Sequence, residues 1–222
     1  PQPCIACNMH PPVTVVYVAR GASSLAPTAA AIAQVRSWSA SPERLHFVIL
    51  AGDRCLAELA AGAPLPFASI VNATDAALHQ RLHSPIAHEW LARTARIGGK
   101  QHTYTVPKLF LHEILTDAEQ VITLDADVVA LADISALADE VAEMARADRH
   151  AALFYASEQQ NKYRWTLDWW RTPRSTTVHR DVRHDERRNG VNGGVGVQML
   201  HRLRASDTYL EVMARLLSEM DG

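Results

Sequence analysis

Short apolar runs alternate along this sequence with longer segments of helical pattern, and this alternation limits the fold more than any other feature. The apolar runs predict strands at residues 13–19, 45–50, 67–72, 121–124, 151–156 and 195–200. Short runs rich in β-branched residues are typical of strands covered on both faces. Helices are predicted at residues 26–38, 53–61, 75–100, 106–115, 134–147 and 206–220, with Asp53 as the N-cap of the second helix. We therefore predict an α/β fold with a Rossmann-like, mostly parallel central sheet flanked by helices.

The composition narrows the class of partner. Of 222 residues, 48% are hydrophobic and 21% are charged, as expected for a globular domain. The formal net charge of −2 provides no basic excess for a nucleic-acid backbone, so we predict no nucleic-acid partner. No apolar run is long enough to span a bilayer. We interpret residues 1–222 as a single, incomplete domain cut from a longer protein, since the chain starts at Pro1 and ends just after a predicted helix.

Two aspartates follow the buried strand candidate VITL. Asp125 and Asp127 form a D-x-D, and their side chains leave the backbone on the same side. Ligands of open α/β sheets bind outside the carboxyl ends of the strands, and paired carboxylates suit a hard divalent cation. Because apolar segments flank both aspartates, leaving them unpaired would be costly. The sequence therefore favours a metal site over two ordinary turn aspartates.

A D-x-D after an apolar strand also occurs in phosphatases of the haloacid-dehalogenase type. Residues 125–129 fit the short phosphatase pattern, in which Asp125 would be the nucleophile. That pattern normally lies on the first strand of its fold, whereas here at least two strand–helix units precede it. The position favours nucleotide binding, and the phosphatase is retained as the alternative.

A glycine-rich run occupies residues 190–196, GVNGGVG. Glycines let a backbone approach a ligand closely, and Asn192 offers both a donor and an acceptor. The run is not a G-x-G-x-x-G that opens a helix, so a dinucleotide site is not predicted. For this stretch alone, a turn leading into the last strand is the simpler interpretation.

Taken together, these segments resemble glycosyltransferase family 8, whose members are retaining enzymes of the GT-A fold that use nucleotide sugars. The stretches that carry the resemblance are VTVVYVAR, KLFLHEILTDAEQVITLDADVVALADISAL and NGVNGGVGVQMLHRLR. The last one, with SEQQNKYRW upstream, looks most like the glucoside xylosyltransferases and the matriglycan-type xylosyltransferase domains. The resemblance implies transfer of a sugar from a UDP-sugar donor, such as UDP-xylose, to a hydroxyl of a glycan or glycoprotein acceptor.

The resemblance also implies a metal and diphosphate site. Asp125 and Asp127 would coordinate Mn²⁺, or Mg²⁺, together with the donor diphosphate. Ala126 would lie against the ribose through its backbone. Lys108 matches the basic residue that the family places beside the donor. Its ammonium group suits a phosphate or a sugar hydroxyl.

Two further segments would hold the nucleoside and the sugar. The end of the first strand falls where the family binds uracil and ribose, at Tyr17, Val18, Ala19 and Arg20. Residues Asn192, Gly193 and Gly194 match the Asn-Ser/Ala-Gly that contacts the donor sugar. Gly193 departs from the usual small hydroxyl residue, so one hydrogen bond to the sugar is expected to be missing.

The family pattern is incomplete at the carboxyl end. An Asp-Gln pair and a third metal ligand, a histidine, normally follow, and neither is present before Gly222. No catalytic residue is therefore assigned, and a donor-binding fragment without turnover is a further hypothesis. If the protein is eukaryotic, the resemblance implies the lumen of the Golgi or endoplasmic reticulum, with any membrane anchor outside this segment.

Other motifs are weaker. Cys4 and Cys7 form a C-x-x-C in a proline-rich leader, where an inert pair or a stray disulfide is favoured over a zinc or redox site. His79 and His83 are four residues apart in a predicted helix, but a metal pair lacks a third ligand nearby in sequence, so a polar helix face is favoured. Aromatic and basic residues between 165 and 188 are candidates for an acceptor groove or a solvated loop.

Overall fold

The computed structural model describes residues 11–20, 25–63, 65, 67–97, 104–157 and 191–219. Its strands are β1 (Val13–Ala19), β2 (Leu45–Ala51), β3 (Ala68–Asn72), β4 (Gln120–Leu124), β5 (Leu153–Ser157) and β6 (Val191–Met199). They form one sheet in the order β3-β2-β1-β4-β6-β5. Strands β1 to β4 are parallel to one another, whereas β6 runs antiparallel to both β4 and β5. The prediction of an α/β fold with a mostly parallel central sheet is confirmed.

Helices lie between and after the strands. They are α1 (Leu25–Trp38), α2 (Asp53–Ala60), α3 (Asp75–Arg81), α4 (Pro85–Ile97), α5 (Val106–Leu109), α6 (Leu111–Ile114), α7 (Ile134–Ala147), α8 (Leu200–Arg204) and α9 (Asp207–Glu219), with a short 3₁₀ helix at Pro42–Arg44. Within the described part of the chain, no helix is both long and apolar enough to cross a membrane.

Two apolar cores cover the two faces of the sheet. In β1 the side chains of Val13, Val15 and Tyr17 join the core beneath α1, α2 and α7. Val16 joins the opposite core, which is built by α3 to α6, α8 and α9. Successive side chains of a strand point to opposite faces, so a strand between two helix layers must be apolar throughout. This explains the continuous apolar runs of the sequence.

Several boundaries differ from the prediction. The segment predicted as one helix from residue 75 is divided into α3 and α4, because the prolyl ring of Pro85 is tolerated only in a first turn. Gly52, and not Asp53, occupies the N-cap of α2, and Asp53 is the first helical residue. Strand β6 begins at Val191 and includes residues 192–194, which the simpler interpretation assigned to a turn. Helix α8 was not predicted.

Candidate functional site

The carboxyl edge of the sheet gathers most of the predicted site residues. Strand β4 lies beside β1, with Val16 of β1 in register with Thr123 of β4. Asp125 follows β4 directly, so it leaves the sheet at the edge where β1 ends. Because β6 is antiparallel to β4, the start of β6 lies at this same edge. The backbone N–H of Asp125 donates to the carbonyl of Gly194 at 2.8 Å, which joins the D-x-D to the glycine-rich strand.

Lys108 links these two segments through its side chain. Its Nζ donates to Oδ1 of Asp125 at 2.5 Å and to the carbonyl oxygen of Gly193 at 2.9 Å. The Lys108 side chain is only 15% exposed, whereas that of Asp125 is 44% exposed. A charge-assisted contact between a sheltered ammonium and one oxygen of an accessible carboxylate leaves the second oxygen of Asp125 to a ligand. Three predicted residues therefore meet in one cluster.

Gln198, which is buried, and the partly buried Tyr155 form a polar pair that supports the backbone of Lys108. The side-chain amide of Gln198, in β6, donates to the carbonyl of Lys108 at 3.0 Å and to the hydroxyl of Tyr155 at 3.1 Å. Gln198 is 1% exposed, so these hydrogen bonds compete little with water. Burial raises the pKa of Tyr155 despite its bond to Gln198, which keeps the phenol protonated.

Gly196 makes room for this pair. A Cβ atom at Gly196 would lie 2.4 Å from the ring of Tyr155, closer than any side chain tolerates. Sequence reasoning missed Gln198, Tyr155 and the steric role of Gly196. The available signal was Gln198 itself, a polar residue within the otherwise apolar strand candidate VGVQML.

The loop after the D-x-D is held at both ends. The N–H of Val128 donates to the carbonyl of Asp125 at 3.0 Å and closes a turn over Ala126 and Asp127. Further along, the side chain of Gln34 in α1 bonds both backbone groups of Ala130, at 2.5 and 3.0 Å. These anchors position the D-x-D turn relative to the sheet.

Asp133 ends the loop as the N-cap of α7. Its carboxylate accepts hydrogen bonds from the backbone N–H and the hydroxyl of Ser135. It also accepts hydrogen bonds from the hydroxyl of Ser39 and from the backbone N–H of Ala40. Partial burial alone would raise the pKa of Asp133, but these hydrogen bonds outweigh it and hold the pKa below its usual value. The structure thus explains the Asp-Ile pair that follows the D-x-D in the sequence: Asp133 caps α7, and Ile134 is the first residue of that helix.

The two aspartates of the D-x-D are more accessible than their apolar neighbours suggested. Asp127 is exposed and Asp125 is partly exposed, so the expected cost of burying them does not apply. Among the described residues, no group of three or more histidine, cysteine, aspartate or glutamate side chains lies close enough to hold a metal. Two carboxylates still match a hard cation of the magnesium type, which takes its other ligands from water and substrate phosphates.

The end of β1 differs from the end of β4. The side chains of Tyr17 and Ala19 are buried, so only their backbone can face a ligand at the edge. Burial raises the pKa of Tyr17, and its hydroxyl has no hydrogen-bond partner among the described residues. Val18 is partly buried in the opposite core.

Arg20 closes this end of β1. Its guanidinium donates to Asp75 at the start of α3. Gly52 packs so closely on Arg20 that a Cβ there would lie 2.8 Å from the Arg20 Cα. The site thus has tightly packed backbone at the end of β1 and accessible charged side chains at the end of β4.

The side chain of Asn192, the pair Cys4 and Cys7, and residues 158–190 lie outside what the structure describes.

Solved structures share this architecture. No family model and no curated protein sequence matches the chain. The chain is similar to the apo form of mouse xyloside xylosyltransferase 1, with a TM-score of 0.62 and 16% identity over 90% of this chain and 71% of the other. It is also similar to the galactosyltransferase LgtC bound to donor and acceptor sugar analogues, with a TM-score of 0.55 and 17% identity over 94% and 64%.

The bifunctional glycosyltransferase WbbM is a third match, with a TM-score of 0.51 and 13% identity over 93% of this chain and 35% of the other. The fold is GT-A. The GT-A neighbours named above are all glycosyltransferases, and they offer no support to the dehalogenase-type phosphatase. This chain spans about two thirds of the length of the first two neighbours and about one third of WbbM.

Proposed function

We propose that this chain binds a nucleotide-sugar donor, together with a divalent cation, at the edge formed by β1, β4 and β6, and that it transfers the sugar to a hydroxyl group of a glycan or glycoprotein. The cluster of Lys108, Asp125 and the Gly193 carbonyl carries the proposal. In open α/β sheets this edge is the usual ligand site. The GT-A neighbours support sugar transfer as the type of reaction.

Each part of the edge has a task in this proposal. Asp125 and Asp127 would hold Mn²⁺ or Mg²⁺, which would neutralise the charge that develops on a departing diphosphate. Lys108 adds a fixed ammonium beside the same position, where its charge is only partly screened by water. The packed backbone at Val18 to Arg20 would face the base and ribose.

Gly193 leaves space for the sugar. A Cβ placed on Gly193 would have no atom of the described residues within 4 Å, so their packing does not require a glycine there. We infer that the open space belongs to the donor sugar. UDP-xylose as the donor, retention of configuration, and a location in the Golgi or endoplasmic reticulum lumen are finer proposals, supported by the sequence resemblance to glycosyltransferase family 8.

The decisive experiment is calorimetric titration of UDP with Mn²⁺ and with EDTA. We expect Mn²⁺-dependent binding that weakens by about 100-fold, or ~2.7 kcal/mol, in Asp127→Asn, because one of two carboxylate ligands becomes a neutral amide. Asp117→Asn is the matched control, since Asp117 is an exposed aspartate in the turn before β4, at the opposite edge of the sheet.

Turnover is measured separately on the same samples. Release of UDP from UDP-xylose, with a xyloside as acceptor, would support transfer. Binding of UDP without release of product would support the donor-binding fragment without turnover. Equal binding in Mn²⁺ and EDTA, or equal loss in both aspartate variants, would contradict the proposed metal site.

A further inference from the structure

Two histidines from different helices meet on the surface at the junction of α3 and α4. The Nδ1 atoms of His79 and His88 are 3.3 Å apart. Their ring centroids are 5.4 Å apart and the ring planes differ by only 16°. Since the centroids are much farther apart than the nitrogens, the two Nδ1 atoms face each other across the gap.

The pair is not the one that the sequence spacing suggested. Helix α3 ends at Arg81, so His83 does not lie one helical turn above His79 on the same face. The chain turns at Ser84, and α4 then brings His88 back against His79. A contact between residues nine apart across a helix–helix turn has no periodic signal in the sequence.

The turn between the two helices is anchored, which fixes the spacing of the histidines. The carboxylate of Glu113 in α6 accepts from the backbone N–H groups of His83 and Ser84 and from the hydroxyl of Ser84. Burial alone would raise the pKa of Glu113, but the hydrogen bonds from Ser84 and His83 outweigh it and lower the pKa. Fully buried Leu78 and Ala87 seat the two helices on the core beside the histidines.

The spacing matches two ligands of one tetrahedral ion. Nitrogens bound at 2.0–2.1 Å to a tetrahedral zinc ion are separated by about 3.3 Å. Ligands at a right angle, as in square-planar or octahedral coordination, would be separated by about 2.9 Å. The observed 3.3 Å fits the tetrahedral arrangement, and the small angle between the rings lets one ion lie near both ring planes.

We propose that His79 and His88 form a surface binding site for Zn²⁺, separate from the carboxylate site at Asp125 and Asp127. Within the residues described, no third histidine, cysteine or acidic side chain completes a cluster here. The described residues therefore supply two of the four positions of a tetrahedral ion and leave the other two to further ligands. Imidazole nitrogens select zinc over the harder Mn²⁺ and Mg²⁺, which prefer the carboxylates of the D-x-D.

A bound zinc ion would join α3 to α4. Helix α3 is already joined to the end of β1, because Asp75 at its start accepts a hydrogen bond from the Arg20 guanidinium. Any ligand that binds only the folded state raises its stability. We therefore expect Zn²⁺ to raise the midpoint of thermal unfolding and to do so through both histidines.

The test is a zinc titration of the whole chain in competition with a chromogenic chelator. It is performed in a Cys4→Ser/Cys7→Ser background, because thiolates in the leader would also bind zinc. His79→Ala and His88→Ala are each expected to weaken zinc binding at least about tenfold and to abolish the thermal shift. His83→Ala is the matched control, since it removes an exposed histidine from the same turn, and it should bind zinc like the background protein.

Zinc K-edge absorption supplies an independent measurement. Two imidazole nitrogens at about 2.0–2.1 Å in the background protein, and one or none in His79→Ala, would support the site. Equal zinc affinity in all three histidine variants would overturn it, as would a spectrum dominated by carboxylate oxygen. Circular dichroism without metal checks that each variant is folded, and His79→Gln repeats the test with a side chain closer in size.

Discussion

The ends of β1 and β4 lie side by side at the same edge of the sheet, yet they are built differently. At the end of β1, Tyr17 and Ala19 are buried and Gly52 packs against the backbone of Arg20. At the end of β4, Asp125 is partly exposed and its carboxylate contacts Lys108. The side chains at the end of β1 are therefore packed in the core and only the backbone faces the edge, whereas the end of β4 exposes a charged side chain. Substitutions that disturb close packing should therefore change stability, and substitutions that remove the charged side chains at the end of β4 should change binding.

The largest effect is expected at Gly196, which supports the charged end. Gly196→Ala would place a methyl group against the ring of Tyr155, where a Cβ lies at 2.4 Å. Overpacking of this kind costs up to about 3 kcal/mol of the free energy of unfolding, measured by urea denaturation. Gly193→Ala on the same strand is the control and should change it by less than about 0.5 kcal/mol, because no atom of the part of the chain that the structure describes lies within 4 Å of that Cβ. Equal losses in both variants would refute the steric argument.

The variant Lys108→Met tests the contribution of the Lys108 charge separately from that of its packing. The methionine keeps the apolar stem but removes the ammonium that contacts Asp125 and Gly193. We expect UDP binding in Mn²⁺ to weaken by about tenfold, or ~1.4 kcal/mol, with little change in stability because partly exposed ion pairs contribute little. Arg149→Met removes an exposed positive charge in the turn before β5, and calorimetry should show unchanged UDP binding. A loss of stability without a loss of binding would reverse the comparison between the two strand ends.

Asp133→Ala tests whether the loop after the D-x-D depends on its anchor. Loss of an N-cap costs about 1 kcal/mol. Because the folded pKa of Asp133 is lowered, its contribution is present above the unfolded pKa and is lost as the pH falls through the folded pKa. Denaturation at pH 7 and at a pH below the folded value should show a difference between wild type and variant only at pH 7. A difference that persists in acid would assign the effect to something other than the ionised cap.

Tyr17→Phe should have the smallest effect. The Tyr17 hydroxyl is buried without a hydrogen-bond partner among the described residues, and leaving such a group unsatisfied is costly. Its removal should leave stability unchanged or raise it by up to about 1 kcal/mol in thermal unfolding, with UDP binding unaffected. Weaker UDP binding would show that the hydroxyl, and not only the backbone of β1, serves the donor site.

Much of the local structure was accessible from the sequence. Strand β1 and helix α7 were predicted with the bounds that the structure shows, since each has a clear apolar pattern and a recognisable end. Lys108 and Asp125 were both singled out as donor-site residues, and in the structure they are in contact although they are 17 residues apart. That inference came from resemblance, because a contact between a helix and a strand end has no signature in spacing.

The remainder depended on contacts between distant residues. Gln198 and Tyr155 were not recognised as a support for Lys108, because the pairing of β5 with β6 follows a connection of more than thirty residues. The exposure of Asp127 also contradicted a sequence argument. Apolar neighbours in sequence do not bury a side chain that projects from a turn.

The sequence by itself determined the alternation of strands and helices, the apolar character of the strands, and the two carboxylates after β4, since these depend on neighbours within a few residues. Only the tertiary structure decided that β6 enters the sheet antiparallel between β4 and β5, which places Gly193 and Gly194 beside Asp125. It also decided that His79 faces His88 and not His83. Both outcomes depend on long-range packing and hydrogen bonding, whose energies no local pattern encodes.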